Sequence, residues 1–446
     1  MRAAWCQRKR QLLYGNETVS VIQRERIAIV YLWNFDVVPG LCNVAQLLSE
    51  RGYAVDVFTC ANPGFGTPAL GKETHLTILW NGSTRPRILP QAPRYAQLWN
   101  SRPFDLPLRV GYRVVRRLRQ ASNTLRTVRH SIRISRVHRL SPYRCFIGVD
   151  PEGLMQAHSL ARFIDVPFIY YSLELLLADE ISNPTQQRLK RTEVSMSRSA
   201  AFVIIQDEKR GRLLADDNGI PPERFVFVPN APLGPARRRR SGYWHERFGL
   251  SPDQRVVLHA GSVGQWTGIE QIVASVQSWP EHWVLVVHTP FDAGLSNDLQ
   301  RLRELAVPGR VFLSPNPVSR QDYEMLVDGA DIGVAFYVPT AGSTLTQENL
   351  RTIGLSSGKI AYYLHAGLPV ILNKTPSISG LVEREGCGIS VGRGQEIPGA
   401  IAQITHAYHE YTRQACAVFD RHFDPADGLR EVIRRIDSLE GSAPYA

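Results

Sequence analysis

The sequence predicts an α/β protein of two doubly wound, Rossmann-like domains facing a cleft. Three observations carry that expectation. A chain of 446 residues exceeds what one hydrophobic core ordinarily supports. Short β-branched runs alternate with amphipathic helical stretches, in one series and then in a second. The runs are nearly continuous in apolar residues, as strands covered on both faces should be.

In the first series strands are expected at 26–32, 54–59, 76–80, 145–149, 167–173, 202–206 and 225–230, and helices near 38–51, 152–164, 183–198 and 207–218. In the second, strands are expected at 255–262, 282–289, 311–314, 332–337, 369–372 and 388–391. Residues 1–25 form an N-terminal extension, 26–235 a first Rossmann-like domain with a basic insert at 106–149, 236–410 a second and 411–446 a helical end. Between the halves, NAPLGPARRRRSGYW (230–244) has the prolines, glycines and arginines of an exposed linker.

The segment SSGKIAYYLHAGLPVIL, 356–372, reads as a helix delivered into a buried strand by a Gly-x-Pro turn. Ser356, Ser357 and Gly358 are N-cap material, and Ile360, Tyr363 and Leu364 make an inward i, i+3, i+4 face. Lys359 lies in the first turn, against the helix dipole unless an anion arrives there. It is one of only six lysines. Equally, it could be a surface lysine beside an ordinary Ser cap. A second candidate is GSVGQWTG, Gly261 to Gly268, which follows a strand and opens a helix. Backbone N–H groups around Gly261, Ser262, Gly264 and Gln265 can receive a phosphate, though many such turns need glycine only for tight geometry. Glu348 stands in the loop region ahead of Lys359.

In the first half, candidate site groups come from loops after strands: Asn34, Asp36 and Gly40 after the first, Asp150 after the fourth, Glu174 after the fifth. The Asp150 carboxylate could cap the next helix or orient an acceptor hydroxyl. Glu174 could face the cleft or simply point outward.

Charge adds an independent signal. The chain has 52 lysines and arginines against 41 acids, and the eleven arginines between Leu106 and Val149, a stretch with no Asp or Glu, account for the whole excess. Arg126, Arg129, Arg133 and Arg136 share a helical stripe beside Leu125, Val128 and Ile132, a basic amphipathic pattern suited to an anionic membrane surface. A solvated basic face is the plainer alternative. No zinc-finger or RNP-like pattern accompanies these arginines, so no nucleic-acid partner is expected. The six cysteines have no metal-ligand spacing and suit a reducing compartment. The first twenty residues lack a signal-peptide core, and no run reaches eighteen apolar residues.

These segments bring a family into view. The 356–372 stretch resembles the Ser-x-x-Lys-x-x-Glu-Tyr-x-x-x-Gly-x-Pro-Val-Ile segment of family 4 (group 1) glycosyltransferases with the GT-B fold. Arg26 to Thr59, Ile220 to Pro232 and Val256 to Val273 resemble further family segments in the same order. The resemblance implies two domains facing a cleft, with a C-terminal helix crossing back to the first. It also implies a nucleotide-sugar donor on the second domain and a glycan or lipid-linked acceptor on the first, with no metal or other cofactor. In that frame Lys359, Asp150 and Glu174 are the catalytic candidates, and His288 and Asn316 lie where members hold base and ribose. The implied setting is cytoplasmic polysaccharide biosynthesis, peripheral to the inner face of a membrane. The sequence departs from the family in two places: the glycine loop lacks its Arg and Lys, and Tyr362 occupies the position of the ribose-binding Glu. A phenol offers one hydrogen bond where a carboxylate clamps two hydroxyls. Those departures keep open a non-catalytic scaffold or a nucleotide-sugar sensor.

Overall fold

The computed structural model describes residues 24–33, 35, 38–61, 70, 73–81, 137–138, 141–290, 297–339 and 347–439. Asn34, Asp36 and the arginine stripe at 126–136 lie outside them.

The first domain runs β1 (Arg26–Tyr31), α1 (Pro39–Glu50), β2 (Ala54–Ala61), β3 (Thr74–Asn81), β4 (Tyr143–Val149), α2 (Asp150–Ile164), β5 (Phe168–Tyr171), α3 (Pro184–Ser197), β6 (Val203–Ile205), α4 (Glu208–Asn218) and β7 (Phe225–Phe227). Its strands pair in the order β3-β2-β1-β4-β5-β6-β7, all parallel. The unbroken apolar run of β1 is explained by burial on both sides. Ile27 and Ile29 join the layer under α1, while Ala28 and Val30 join the layer under α2. Gly153 lets α2 sit hard against β1, since a Cβ there would stand 2.4 Å from the Val30 carbonyl oxygen.

The second domain runs α5 (Tyr243–Phe248), β8 (Arg255–Ala260), α6 (Ile269–Ser275), β9 (Trp283–His288), α7 (Asn297–Leu305), β10 (Val311–Ser314), α8 (Arg320–Asp328), β11 (Ile332–Ala335), α9 (Gln347–Arg351), α10 (Gly358–His365), β12 (Val370–Asn373), α11 (Ser379–Arg384) and β13 (Gly388–Val391). Its sheet order is β10-β9-β8-β11-β12-β13, again parallel. Val256 and Leu258 face one helical layer and Val257 the other. In each sheet the order reverses once, between β1 and β4 and between β8 and β11. Crevices open at such switch points, outside the carboxyl ends of the strands.

Helices α12 (Ile397–His406), α13 (Tyr408–Val418) and α14 (Ala426–Asp437) follow. The last crosses back, as the family resemblance implied: Leu429, Val432 and Ile436 are fully buried in the first domain's core. Polar contacts fix its end. Tyr53 donates to Asp437 at 2.6 Å, and Arg144 donates to the carbonyls of Ile436, Asp437 and Leu439 at 2.8, 2.5 and 2.6 Å. Among the described residues, no helix is long and apolar enough to cross a membrane.

The segment expected to be an exposed linker begins as a seam. Ala231 is fully buried. Asn230 donates from its backbone to Leu355 O at 2.9 Å and from its side chain to Ser356 O at 3.2 Å, and its Oδ1 accepts from Gly40 N at 3.1 Å. One asparagine thus touches the start of α1 and the turn before α10. Its amide can serve both domains because it carries donors and an acceptor on one short side chain.

Candidate functional site

Helix α10 begins at the switch point of the second sheet. Ser357 is its N-cap, accepting from Ile360 N at 3.1 Å, and its hydroxyl also bonds the Tyr337 phenol. The expected inward face is present, with Ile360, Tyr363 and Leu364 fully buried. Tyr363 further anchors the helix by accepting from Ala260 N at 2.7 Å, at the end of β8. These contacts set Lys359, half-buried, beside the glycine loop.

Lys359 has no ion-pair partner among the described residues. Its Nζ lies 3.3 Å from His259 Nε2 and 5.7 Å from the centre of the Tyr337 ring. Burial brings its ammonium down to about 7. Gly261 makes room for it: at φ +145° the residue is in glycine territory, and a Cβ there would stand 2.9 Å from Lys359 Cε. The first glycine of the loop therefore serves the lysine as well as the turn.

The backbone donors divide differently from the expectation. Ser356 N and Ser357 N donate to Ile353 O at 2.8 and 3.0 Å, so a tight turn consumes them. Gly261 N is likewise spent on His288 O at 2.9 Å. Among the described residues, the N–H groups of Gly358 and Lys359 and those of Ser262, Val263, Gly264 and Gln265 make no hydrogen bond. An anion between these two sets would meet a helix N-terminus, a loop of free donors and one lysine.

Other candidates are engaged elsewhere. His288 is fully buried, its Nδ1 3.2 Å from Ser314 Oγ, its Nε2 without a partner, and burial holds it down at about 4. It lies under Trp244 and Tyr323 rather than open to a base, while Asn316 is exposed. Glu348 pairs with Arg351 at 2.8 Å, one helical turn away, and its backbone N–H is held by the Glu180 carboxylate at 3.0 Å. Tyr362 is 8% exposed and packs edge-on against Tyr323 at 4.8 Å. Its phenol faces Arg320, which donates to Asn43 across the domains at 3.2 Å. Tyr362 thus packs at the interface between the domains.

On the facing domain, Asp150 does not cap the helix it opens. Its carboxylate accepts from Leu173 N at 2.8 Å and Glu174 N at 3.0 Å, shaping the turn after β5, and its backbone is left-handed at φ +55°. Burial first, then the Glu174 charge, hold its pKa well above the usual carboxylate range. Glu174 is exposed yet committed, accepting from Asn349 Nδ2 at 2.5 Å. Asn349 belongs to α9 of the other domain. Gly40 N is spent on Asn230, and a Cβ at Gly40 would stand 2.6 Å from the Tyr171 hydroxyl.

The sequence reading missed His259, Asn230, Arg320 and Asn349. A lone histidine in a strand reads as core, and the other three act through partners more than a hundred residues away. Arg210 was missed for the same reason. Fully buried, it donates to Asn349 Oδ1 at 2.8 Å and Leu173 O at 2.9 Å. Among the described residues, no group of three or more His, Cys, Asp or Glu is placed to hold a metal ion.

Two parallel sheets with their switch points turned toward one cleft, joined by a helix that crosses back, define the GT-B fold. Within it the chain resembles, at a distance, the family 4, group 1 glycosyltransferases. Residues 37–231 match the glycosyl transferase 4-like domain and residues 352–423 the glucosyltransferase 3-like C-terminal domain. No curated protein matches the sequence. Among solved structures, HepE from Anabaena, in complex with UDP and glucose, is similar over 93% of this chain and all of its own, with a TM-score of 0.62 at 14% identity. Sucrose-phosphate synthase from Thermosynechococcus elongatus covers 92% of this chain and 98% of its own at 0.62 and 13%. WaaG, a glycosyltransferase involved in lipopolysaccharide biosynthesis, covers 91% of this chain and 99% of its own at 0.55 and 14%.

Proposed function

We propose that this protein transfers a sugar from a nucleotide-sugar to a hydroxyl of a glycan or lipid-linked acceptor, without a metal. The observation that carries this reading is Lys359: a lysine at a helix start, lacking an anionic partner among the described residues, beside a loop of unspent N–H donors. That arrangement suits a leaving nucleoside diphosphate, whose charge grows as the glycosidic bond breaks. The complex of HepE with UDP and glucose supports the same placement by likeness of fold. In this reading the acceptor enters from the first domain near the turn that Asp150 shapes, and Glu174 positions that turn by its bond to Asn349. The arginine-rich insert brings the enzyme to an anionic membrane face, where a lipid-linked acceptor would lie.

A second reading, a glycosyltransferase-like sensor or scaffold, draws on Tyr362 and Glu348, both committed to contacts within the protein. The deciding experiment is a thermal-shift panel of nucleotide-sugars and nucleoside diphosphates, followed by acceptor assays with whichever donor binds. A selective shift lost in Lys359→Ala, with sugar transfer, supports the enzyme. A shift with no transfer to any acceptor supports the sensor, and no shift from folded protein supports the scaffold.

A further inference from the structure

Lys359 has an unusual neighbour. His259, on β8, is fully buried, and its Nε2 stands between two groups of opposite demand: the Ser262 carbonyl at 3.1 Å and Lys359 Nζ at 3.3 Å. Its Nδ1 is buried without a partner. A proton on Nδ1 would be a buried donor with nothing to receive it, and would leave the bare Nε2 facing a carbonyl oxygen. Burying an unsatisfied N–H is the costlier choice, so the proton belongs on Nε2. A single Nε2–H is then shared between Ser262 O at 3.1 Å and the lysine nitrogen at 3.3 Å. An ammonium has no lone pair to accept it; a neutral amine does.

We propose that His259 is the positioning residue for Lys359, favouring the neutral amine in the free protein at pH 8, and that binding of a nucleoside diphosphate then draws one proton from solvent to make it the ammonium that grips the phosphates. The inference rests on the donor-site reading above. The balance is simple: Lys359–NH2 gains one H⁺ from solvent, and His259 keeps its Nε2–H and donates it to Ser262 O throughout. The groups around the amine fit. His259 comes from β8 and is itself held well below its usual pKa, chiefly by burial. Tyr337, after β11, presents its ring face and ties its phenol to Ser357. The carboxylate of Glu174 acts on Tyr337 at longer range, and no acid among the described residues pairs with Lys359 to stabilise its charge. Gly261, fixed by its bond to His288 O, closes the remaining side. This neutral rest state explains how the site tolerates a half-buried lysine that has no anionic partner among the described residues.

The test is titration calorimetry of the full chain with UDP, GDP and ADP in turn, at pH 6 and pH 8, in buffers of differing ionisation enthalpy. From a free lysine near 7, binding at pH 8 should take up about 0.9 of a proton and at pH 6 about 0.1, with affinity falling up to about tenfold per unit above pH 7. His259→Phe removes the donor and should at least halve the uptake at pH 8, while His259→Gln, which keeps an N–H, should retain it. Binding with no net proton uptake at pH 8, or uptake unchanged in a folded His259→Phe protein, overturns the proposal. If neither variant folds, the wild-type uptake decides. If none of the three diphosphates binds at either pH, the donor-site reading itself falls and takes this one with it.

Discussion

Arg210 and Asn349 join the two domains through a fully buried bond: Arg210 Nη2 donates to Asn349 Oδ1 at 2.8 Å, and the same oxygen accepts from Leu175 N at 2.8 Å. Because Asn349 Nδ2 also donates to Glu174, the whole amide of one residue in α9 is spent on the opposite domain. Asn349→Ala should take one partner from the buried Arg210 guanidinium and leave the buried Leu175 N–H without its acceptor, costing about 2–4 kcal/mol in urea denaturation. Asn349→Asp pairs the guanidinium but faces Glu174 with a like charge, and should recover only part of the loss.

Glu174 separates a positioning role from a catalytic one. Glu174→Gln keeps an acceptor for Asn349, so sugar transfer should stay within about tenfold of wild type. A general base lost in this way would cost on the order of 10²–10⁴. Steady-state rates of the Gln and Ala variants, read beside their melting temperatures, decide the matter.

Asp150 pays an electrostatic cost in its present position. Its pKa is raised in the folded chain, so between its unfolded value and its folded one the native state holds more protons, and stability falls as pH rises through that window. Asp150→Asn removes the charge, keeps an oxygen for Leu173 N, and suits the left-handed backbone as well as Asp does. Its melting temperature should equal or exceed wild type at pH 7, with the advantage shrinking toward pH 4.

Gly261→Ala should act on Lys359 at a distance. The added methyl meets a strained φ and the lysine stem, pushing the amine from its place. Thermal shifts with nucleoside diphosphates should weaken at least tenfold in affinity while the unliganded protein still melts cooperatively. Lys359→Ala should lower turnover by about 10²–10³, the loss associated with one preorganised charge-stabilising group.

Arg126→Glu, Arg129→Glu and Arg133→Glu together reverse the charge of one stripe. Co-sedimentation with phosphatidylserine vesicles at low salt should be lost in the triple variant, and in wild type should decline steeply with ionic strength. Binding retained by the variant would assign the arginines to a solvated face.

How much of this was legible in the chain varies with range. The strand positions followed from unbroken apolar runs such as RIAIVY and WVLVVH, because burial on both faces leaves a local signature. The start of α10 followed from Ser357 and the i, i+3, i+4 face, which are equally local. Where Glu348 and Tyr362 point was not legible, because residue type gives no direction: one turns to Arg351 on its own helix, the other to Arg320 from a different one. Asn230, Arg210 and His259 matter through neighbours 190, 139 and 100 residues away, and no periodicity encodes such pairs.

The returning helix also sets an order of assembly during synthesis. Strands β1 to β7 leave the ribosome long before Leu429, Val432 and Ile436 do, yet those three side chains complete the layer above Ile27, Val55 and Ile147. Until residue 437 has emerged, the first domain carries an uncovered apolar face, and the carbonyls that satisfy Arg144 do not yet exist. The half that would receive an acceptor is therefore finished last, so that a chain broken anywhere short of its final helix lacks a closed first domain even though its entire sheet has been made.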